Sequence, residues 1–186
     1  MIEHIRHIKT SGTIVRSSPF LISRLLRNID FARARHVVQL GVGTGCITRA
    51  LLKRMRPDAR LVSLELNQVF VEECREIRDP RLTLVQGCAG SLRRIVADAG
   101  IEAPLDYVVS SLPLAIMDDR LVERILRESD RLLADDGMFL QYQYSLSQRG
   151  ALERRFRDVK VGFTLANIPP AFVYECTQHG RRAAAR

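Results

Sequence analysis

The chain has 186 residues, 46% of them apolar and 27% charged, with a formal net charge of +8. That composition belongs to soluble globular proteins, and no apolar run approaches the roughly 20 residues of a membrane-spanning helix. MIEHIRHIKT lacks the continuous apolar stretch of a secretory signal, so the expected compartment is the cytoplasm, with the inner membrane face as a peripheral option.

At the start, Ile2, Ile5 and Ile8 form an apolar stripe among His4, Arg6, His7 and Lys9. A short basic amphipathic helix of this kind can lie on an anionic membrane surface or dock on the protein itself. KTSGTIVRSS (9–18) is polar and turn-rich. PFLISRLLRNI (19–29) reads as a helix with Phe20, Leu21, Leu25 and Ile29 inward and Arg24 and Arg27 outward. Apolar runs then alternate with helix-like segments: HVVQLGV (36–42) and a helix from about Cys46 to Met55, then RLVSLEL (60–66) and a helix from about Gln68 to Ile77. RLTLVQG (81–87) precedes a helix around Ser91 to Asp98, and LDYVVSS (105–111) precedes one from about Asp118 to Leu133. Asp136-Gly137 supplies a turn before GMFLQYQYS (137–145). A helix around Gln148 to Phe156 and two strands, VKVGFTLA and AFVYECTQ, complete the pattern, and HGRRAAAR is a basic tail.

Strand then helix, repeated, implies a mostly parallel α/β sheet with crossover helices on both faces. The last two strands have no helix between them and predict an antiparallel pair at the sheet edge. The expected organisation is one domain over residues 1–186: an N-terminal helical cap segment (1–30), a Rossmann-like seven-stranded core (31–178) and the tail (179–186).

Cys46, Cys74, Cys88 and Cys176 are scattered without a C-x-x-C pair, which argues against a metal site and against a disulfide framework. The positive charge is nearly all arginine, which matches phosphate with a bidentate fork. A bias in codon usage would give the same count.

The segment most suited to chemistry is Gly41-Val42-Gly43-Thr44-Gly45, between a strand and a helix. Its glycines permit a tight turn and close backbone approach to a ligand at a helix N-terminus. Glu65 stands at the end of the next strand, 20 residues after Gly45, where a carboxylate can take two ribose hydroxyls. Dinucleotide and S-adenosylmethionine sites share this plan; G-x-G-x-G spacing and the closing strand pair favour S-adenosylmethionine. Residues 106–117, DYVVSSLPLAIM, end a strand on Ser110-Ser111 without an acid, histidine or cysteine. Methyl transfer from a sulfonium needs positioning and desolvation more than a strong acid, so such a strand end suits it. Tyr142 and Tyr144 share a strand face and can reach the crevice or pack under helices. Asn167 and Pro169-Pro170 can shape a pocket wall or a rigid turn.

Through VVQLGVGTG, LVSLELN, LVQGCA and DYVVSSLPL the chain resembles class I S-adenosylmethionine-dependent methyltransferases. TSGTIVRSS, VVSSLPL and NIPPAFVY make it most similar to the bacterial phospholipid N-methyltransferases, which methylate phosphatidylethanolamine and are themselves similar to the rRNA adenine dimethyltransferases. The resemblance implies that Gly41, Gly43, Thr44 and Gly45 wrap the methionine part of the cofactor. It implies that Glu65 holds the ribose and that Leu66, Cys88 and Ala89 lie at the adenine. Ser110, Ser111, Leu112 and Pro113 would flank the reactive methyl, with Tyr142 or Tyr144 lining the acceptor side, and Ser17-Ser18 would cover the cofactor. Gln39 departs from the family's usual carboxylate before the loop, and Cys88 departs from its usual aspartate. Leu114 stands where the rRNA enzymes place a stacking ring, which disfavours a nucleic-acid substrate. The expected acceptor is a phospholipid headgroup amine. A small natural-product acceptor is the alternative, and a non-catalytic binding protein is the reading that Gln39 and Cys88 favour.

Overall fold

Val37, Val38 and Leu40 are all fully buried, so the first strand, β1 (His36–Leu40), is covered on both faces. The computed structural model describes residues 17–101 and 104–178; the Ile2–Ile5–Ile8 stripe and the basic tail lie outside them. Helix α1 (Pro19–Leu26) precedes β1, and α2 (Cys46–Arg54), β2 (Arg60–Glu65), α3 (Gln68–Cys74), β3 (Leu82–Gln86) and α4 (Leu92–Asp98) follow. The chain continues through β4 (Leu105–Ser110), α5 (Asp119–Leu132), β5 (Leu133–Gln143), α6 (Arg149–Arg155), β6 (Asp158–Thr164) and β7 (Ala171–Thr177). One seven-stranded sheet runs in the order β3-β2-β1-β4-β5-β7-β6. Strands β1 to β5 pair in parallel, whereas β7 is antiparallel to both β5 and β6. The expected mostly parallel sheet with a C-terminal antiparallel pair is the observed one.

Each face of the sheet carries its own apolar layer. Helices α4, α5 and α6 cover one face through Leu92, Val96, Ile125, Leu126 and Leu152. Helices α1 and α2 cover the other through Leu21, Leu25, Ile47 and Leu51. Helix α5 shows why the local sequence folds as it does. Asp118 caps it by accepting from the Arg120 and Leu121 amides, and Val122, Ile125, Leu126, Ser129 and Leu132 form its buried stripe.

Two local expectations are corrected. Asp136-Gly137 is not a turn, because β5 begins at Leu133 and runs through it. The β4–β5 register shifts between Leu105 and Tyr107, and a Cβ on Gly137 would lie 2.9 Å from the Leu105 carbonyl oxygen; the strand is irregular there instead of broken. In α1, Phe20 points out at 70% exposure while Leu26 takes the buried place. Arg24, expected outward, is largely covered and lies 3.8 Å from buried Glu175 of β7, while Arg27 is exposed as expected and still reaches Glu175 at 3.3 Å. A carboxylate inside the sheet edge needs cationic partners, and α1 supplies both.

The order of strands matters for the site. The chain leaves β1 towards β2 and β3, then returns on its other side as β4 and β5. The carboxyl ends of β1 and β4 therefore flank the topological switch point, where open α/β sheets form their ligand crevice.

Candidate active site

Leu40 pairs with Ser110 across β1 and β4, so the glycine turn and the Ser-Ser-Leu-Pro turn leave the sheet side by side. Gly41, Gly43 and Gly45 all have positive φ, at 79°, 52° and 76°. A Cβ on Gly41 would come within 3.0 Å of Ser111 Oγ, whereas one on Gly43 would meet no atom within 4 Å. Gly41 thus permits close packing of the two turns, and Gly43 bares its backbone to open space. Gly45 is the N-cap of α2 and gives it no side-chain cap, leaving first-turn amides for a ligand.

Hydrogen bonds bracket this loop from beneath. Glu65 Oε2 accepts from the Val42 and Gly43 amides at 3.0 Å each, and its Oε1 accepts from the Asn67 amide at 2.8 Å. Three of a carboxylate's roughly four acceptor positions are engaged, so Glu65 fixes the loop and keeps one position for an incoming hydroxyl. Gln39 is buried. Its Oε1 accepts from Thr48 Oγ1 at 2.8 Å and Ser63 Oγ at 3.2 Å, while its Nε2 donates to the Gly41 carbonyl at 3.1 Å. A glutamine can donate and accept at once, and a carboxylate here could not reach the Gly41 carbonyl as a donor. Ser111 Oγ donates to the same Gly41 oxygen at 2.8 Å, tying the turn after β4 to the glycine loop. Cys74 is buried against the loop, its thiol 3.4 Å from the Gly43 carbonyl and raised above its usual pKa chiefly by desolvation. Thr44 Oγ1 lies 3.3 Å from Cys46 Sγ, and its carbonyl accepts from Arg49 at 3.0 Å.

Beyond the loop, Leu66 is exposed, Cys88 is half-buried and Ala89 is buried, all near the carboxyl ends of β2 and β3. Ser110 is fully buried and its Oγ accepts from the Leu112 amide at 3.4 Å. Pro113 is exposed, while Leu114 is fully buried in the core beneath the turn and not poised over the crevice.

The turn after β4 rests on β5. Gln141 and Gln143 point to the same side and both donate to the Leu112 carbonyl, at 3.1 Å and 2.9 Å. The Leu114 amide donates to the same oxygen at 2.9 Å, so three donors share its two lone pairs and Leu112 has no acceptor capacity left. Tyr142 and Tyr144 share the opposite side, with ring centroids 5.8 Å apart in an edge-on arrangement. Ser17 Oγ donates to the Tyr142 hydroxyl at 3.1 Å. Burial pushes the Tyr142 phenol above its ordinary value, outweighing the Ser17 hydrogen bond that lowers it. It is therefore neutral at ordinary pH and unsuited to act as a base. Ser18 caps α1 and reaches the β6–β7 loop, donating to the Ala166 carbonyl at 2.7 Å and, through its amide, to Asn167 Oδ1 at 3.0 Å.

The structure thus brings Gln39, Gly41, Gly43, Glu65, Ser110, Ser111 and Leu112 to one crevice. It places Ser17 against Tyr142 and Ser18 against the β6–β7 loop. The glutamine clamp was missed from the sequence. Its signal in the sequence is Gln-Tyr-Gln-Tyr, two buried amides alternating with tyrosines at the end of an apolar strand. Among the described residues no group of three or more His, Cys, Asp or Glu could hold a metal ion, and no helix is long and apolar enough to cross a membrane.

Comparison with known proteins places this geometry. The family described as "Methyltransferase domain" matches residues 37–137. The ornithine lipid N-methyltransferase of Singulisphaera acidiphila is 34% identical over 174 residues, covering 92% of this chain and 90% of that protein. Among solved structures, precorrin-6y C5,15-methyltransferase from Geobacter metallireducens superposes with a TM-score of 0.68 at 15% identity, over 89% of this chain and 92% of its own. Magnesium protoporphyrin IX methyltransferase from Synechocystis, solved with bound S-adenosylmethionine, gives 0.62 at 12% identity, over 86% and 76%.

Proposed function

We propose, since the chain belongs to the class I S-adenosylmethionine-dependent methyltransferases, that it methylates the amine nitrogen of a membrane lipid. S-adenosylmethionine is its cofactor. When bound, it supplies a methyl group on a sulfonium that leaves as a neutral thioether. The residues present fit it: the backbone at Gly43 faces open space, the first turn of α2 lacks a side-chain cap, and Glu65 keeps one acceptor position. In this reading Gly41, Gly43, Thr44 and Gly45 hold the methionine part, Glu65 the ribose, and Leu66, Cys88 and Ala89 the adenine.

The observation that carries the lipid acceptor is the near full-length similarity to a lipid N-methyltransferase. The chemistry of the crevice agrees. A neutral amine needs alignment and a dry wall, and Ser110 to Pro113 supply these without an acid or base of their own. The nitrogen lone pair forms the new N–C bond while the proton it sheds passes to water. Tyr142 serves as a neutral hydrogen-bonding group.

The finer reading is phosphatidylethanolamine, from TSGTIVRSS, VVSSLPL and NIPPAFVY. Ornithine lipid is the second reading, favoured by the named relative. Both present a primary amine on a two-chain lipid. The test is incubation with isotope-labelled S-adenosylmethionine and detergent micelles of each lipid, followed by mass spectrometry. A labelled mass shift on either supports the proposal and selects the acceptor. Label found only on RNA or on a water-soluble amine, or on nothing, overturns it.

A further inference from the structure

All nine large hydrophobic side chains exposed among the described residues stand at one end of the sheet, the carboxyl end where the crevice opens. Four gather at the far edge. Leu165 and Ile168 form the tip of the β6–β7 loop at 75% and 85% exposure, Phe163 ends β6, and Phe20 sits beside them because Ser18 is bonded to that loop. Ile116, Tyr144 and Leu146 lie in the turns after β4 and β5. Leu66 and Val69, after β2, are where a bound nucleoside would cover them. The hairpin is not: β7 and β6 lie three and four strands from β1, roughly 14–19 Å at ordinary strand spacing. Nothing in the cofactor site accounts for apolar tips so far away.

The same end carries positive charge at Arg120 and Arg124, in the first two turns of α5, with Arg127 and Arg154 farther along their helices. A groove of about 740 Å³ between α5 and α6 starts at Asp119 and at Ser147-Gln148, and Arg120, Arg124, Arg127 and Arg154 line it. Its Glu123 is already paired with Arg155. None of the four arginines has an ion-pair partner among the described residues. Apolar tips and, at the same end, arginines without an ion-pair partner among the described residues complement a bilayer surface, whose acyl layer takes the first and whose acidic headgroups take the second. A second copy of this chain would bring the same positive rim against itself. A nucleic acid would find leucine, isoleucine and proline at the foremost tip, with Phe20 and Phe163 behind it as the rings at that edge, so binding to RNA is kept as an outcome of the test.

We infer that the carboxyl end of the sheet is a membrane-docking face. The β6–β7 tip enters an anionic lipid surface and the α5–α6 arginines hold its acidic headgroups. This rests on the lipid acceptor proposed above and adds how the crevice mouth meets it: the lipid amine reaches the methyl group without leaving the bilayer.

The chain contains no tryptophan, so one introduced residue reports alone. The full-length variant Ile168→Trp, mixed with vesicles of equal phosphatidylglycerol and phosphatidylcholine, is expected to blue-shift and to be quenched by lipids brominated near the headgroup. Asp135→Trp, at the opposite end of the sheet, is expected to do neither. R120E/R124E is expected to lower affinity for these vesicles about tenfold or more, with an unchanged circular dichroism spectrum. Vesicle binding by Ile168→Trp with unshifted emission overturns the inference, because another surface then docks. So does a shift without lipid that grows with protein concentration, which means a second copy, and so does one produced by RNA alone. Methylation in detergent micelles separates the two readings. Activity there, with no insertion of the introduced indole into vesicles, rejects the docking face alone, whereas insertion with no methylated lipid rejects the acceptor alone.

Discussion

The two halves of the crevice rim are built on different plans. On the β1–β2 side almost every polar group has a partner inside the protein: Glu65 bridges two loop amides, Gln39 joins two hydroxyls to the Gly41 carbonyl, and Ser111 closes on the same oxygen. On the β5–β7–β6 side the bonds that exist fasten the turn and α1 in place, and the side chains beyond them are apolar and exposed. In the proposed reading the first half is preorganised for one small cofactor. The second is a scaffold with a greasy edge, as a site must be if its other substrate is large and comes from outside. Internal hydrogen bonding is concentrated where, in that reading, the ligand is always the same.

Four substitutions break or sharpen that contrast. The largest effect is expected from Gly43→Val, which combines a left-handed backbone with a branched side chain in the open space. Cofactor affinity should fall roughly a hundredfold or more by calorimetric titration, while vesicle binding stays unchanged. Next, Gln39→Leu strands two buried hydroxyls and removes a donor from the Gly41 carbonyl. It should cost about 2–3 kcal/mol in urea unfolding, and cofactor affinity should fall with it. On the other half, Gln143→Leu releases one arm of the Leu112 clamp. Turnover should drop about tenfold with cofactor affinity intact, which steady-state kinetics beside titration will show. An equal loss in both would mean that the two halves are one unit.

The smallest change is Tyr142→Phe, about 0.5–1 kcal/mol for a part-buried hydrogen bond. It also carries a pH signature. Burial raises the folded phenol above its unfolded value near 10, so its stabilisation is complete below that value and is lost as pH rises through the folded one. Wild-type protein should therefore lose more stability as pH rises above about 10 than Tyr142→Phe, by chemical denaturation at each pH.

The same contrast explains what could be read in the sequence. The glycine loop, Glu65 and the Ser-Ser-Leu-Pro turn were legible because backbone conformation and strand-end position dictate their residue types. The parallel sheet and its antiparallel closing pair followed from where helices do and do not separate the strands. What stayed hidden was set by distant packing. No local pattern joins Gln143 to a carbonyl 31 residues earlier. An eight-residue helix has too few turns to fix its phase, so Phe20 and Arg24 exchanged places, and only buried Glu175 on β7 explains why. Asp136-Gly137 has turn chemistry, but an irregular strand pairing absorbed it.

The saturated Leu112 carbonyl has a further consequence for the proposed reaction. Each transfer converts one N–H of the acceptor into N–CH3. A site that gripped its substrate through those hydrogens would hold the second and third acceptors progressively less well. At this turn the oxygen is already taken by Gln141, Gln143 and the Leu114 amide, so a methylated amine forfeits nothing there that an unmethylated one enjoyed. In the proposed reaction, then, this one backbone oxygen does not discriminate between an amine and its methylated product.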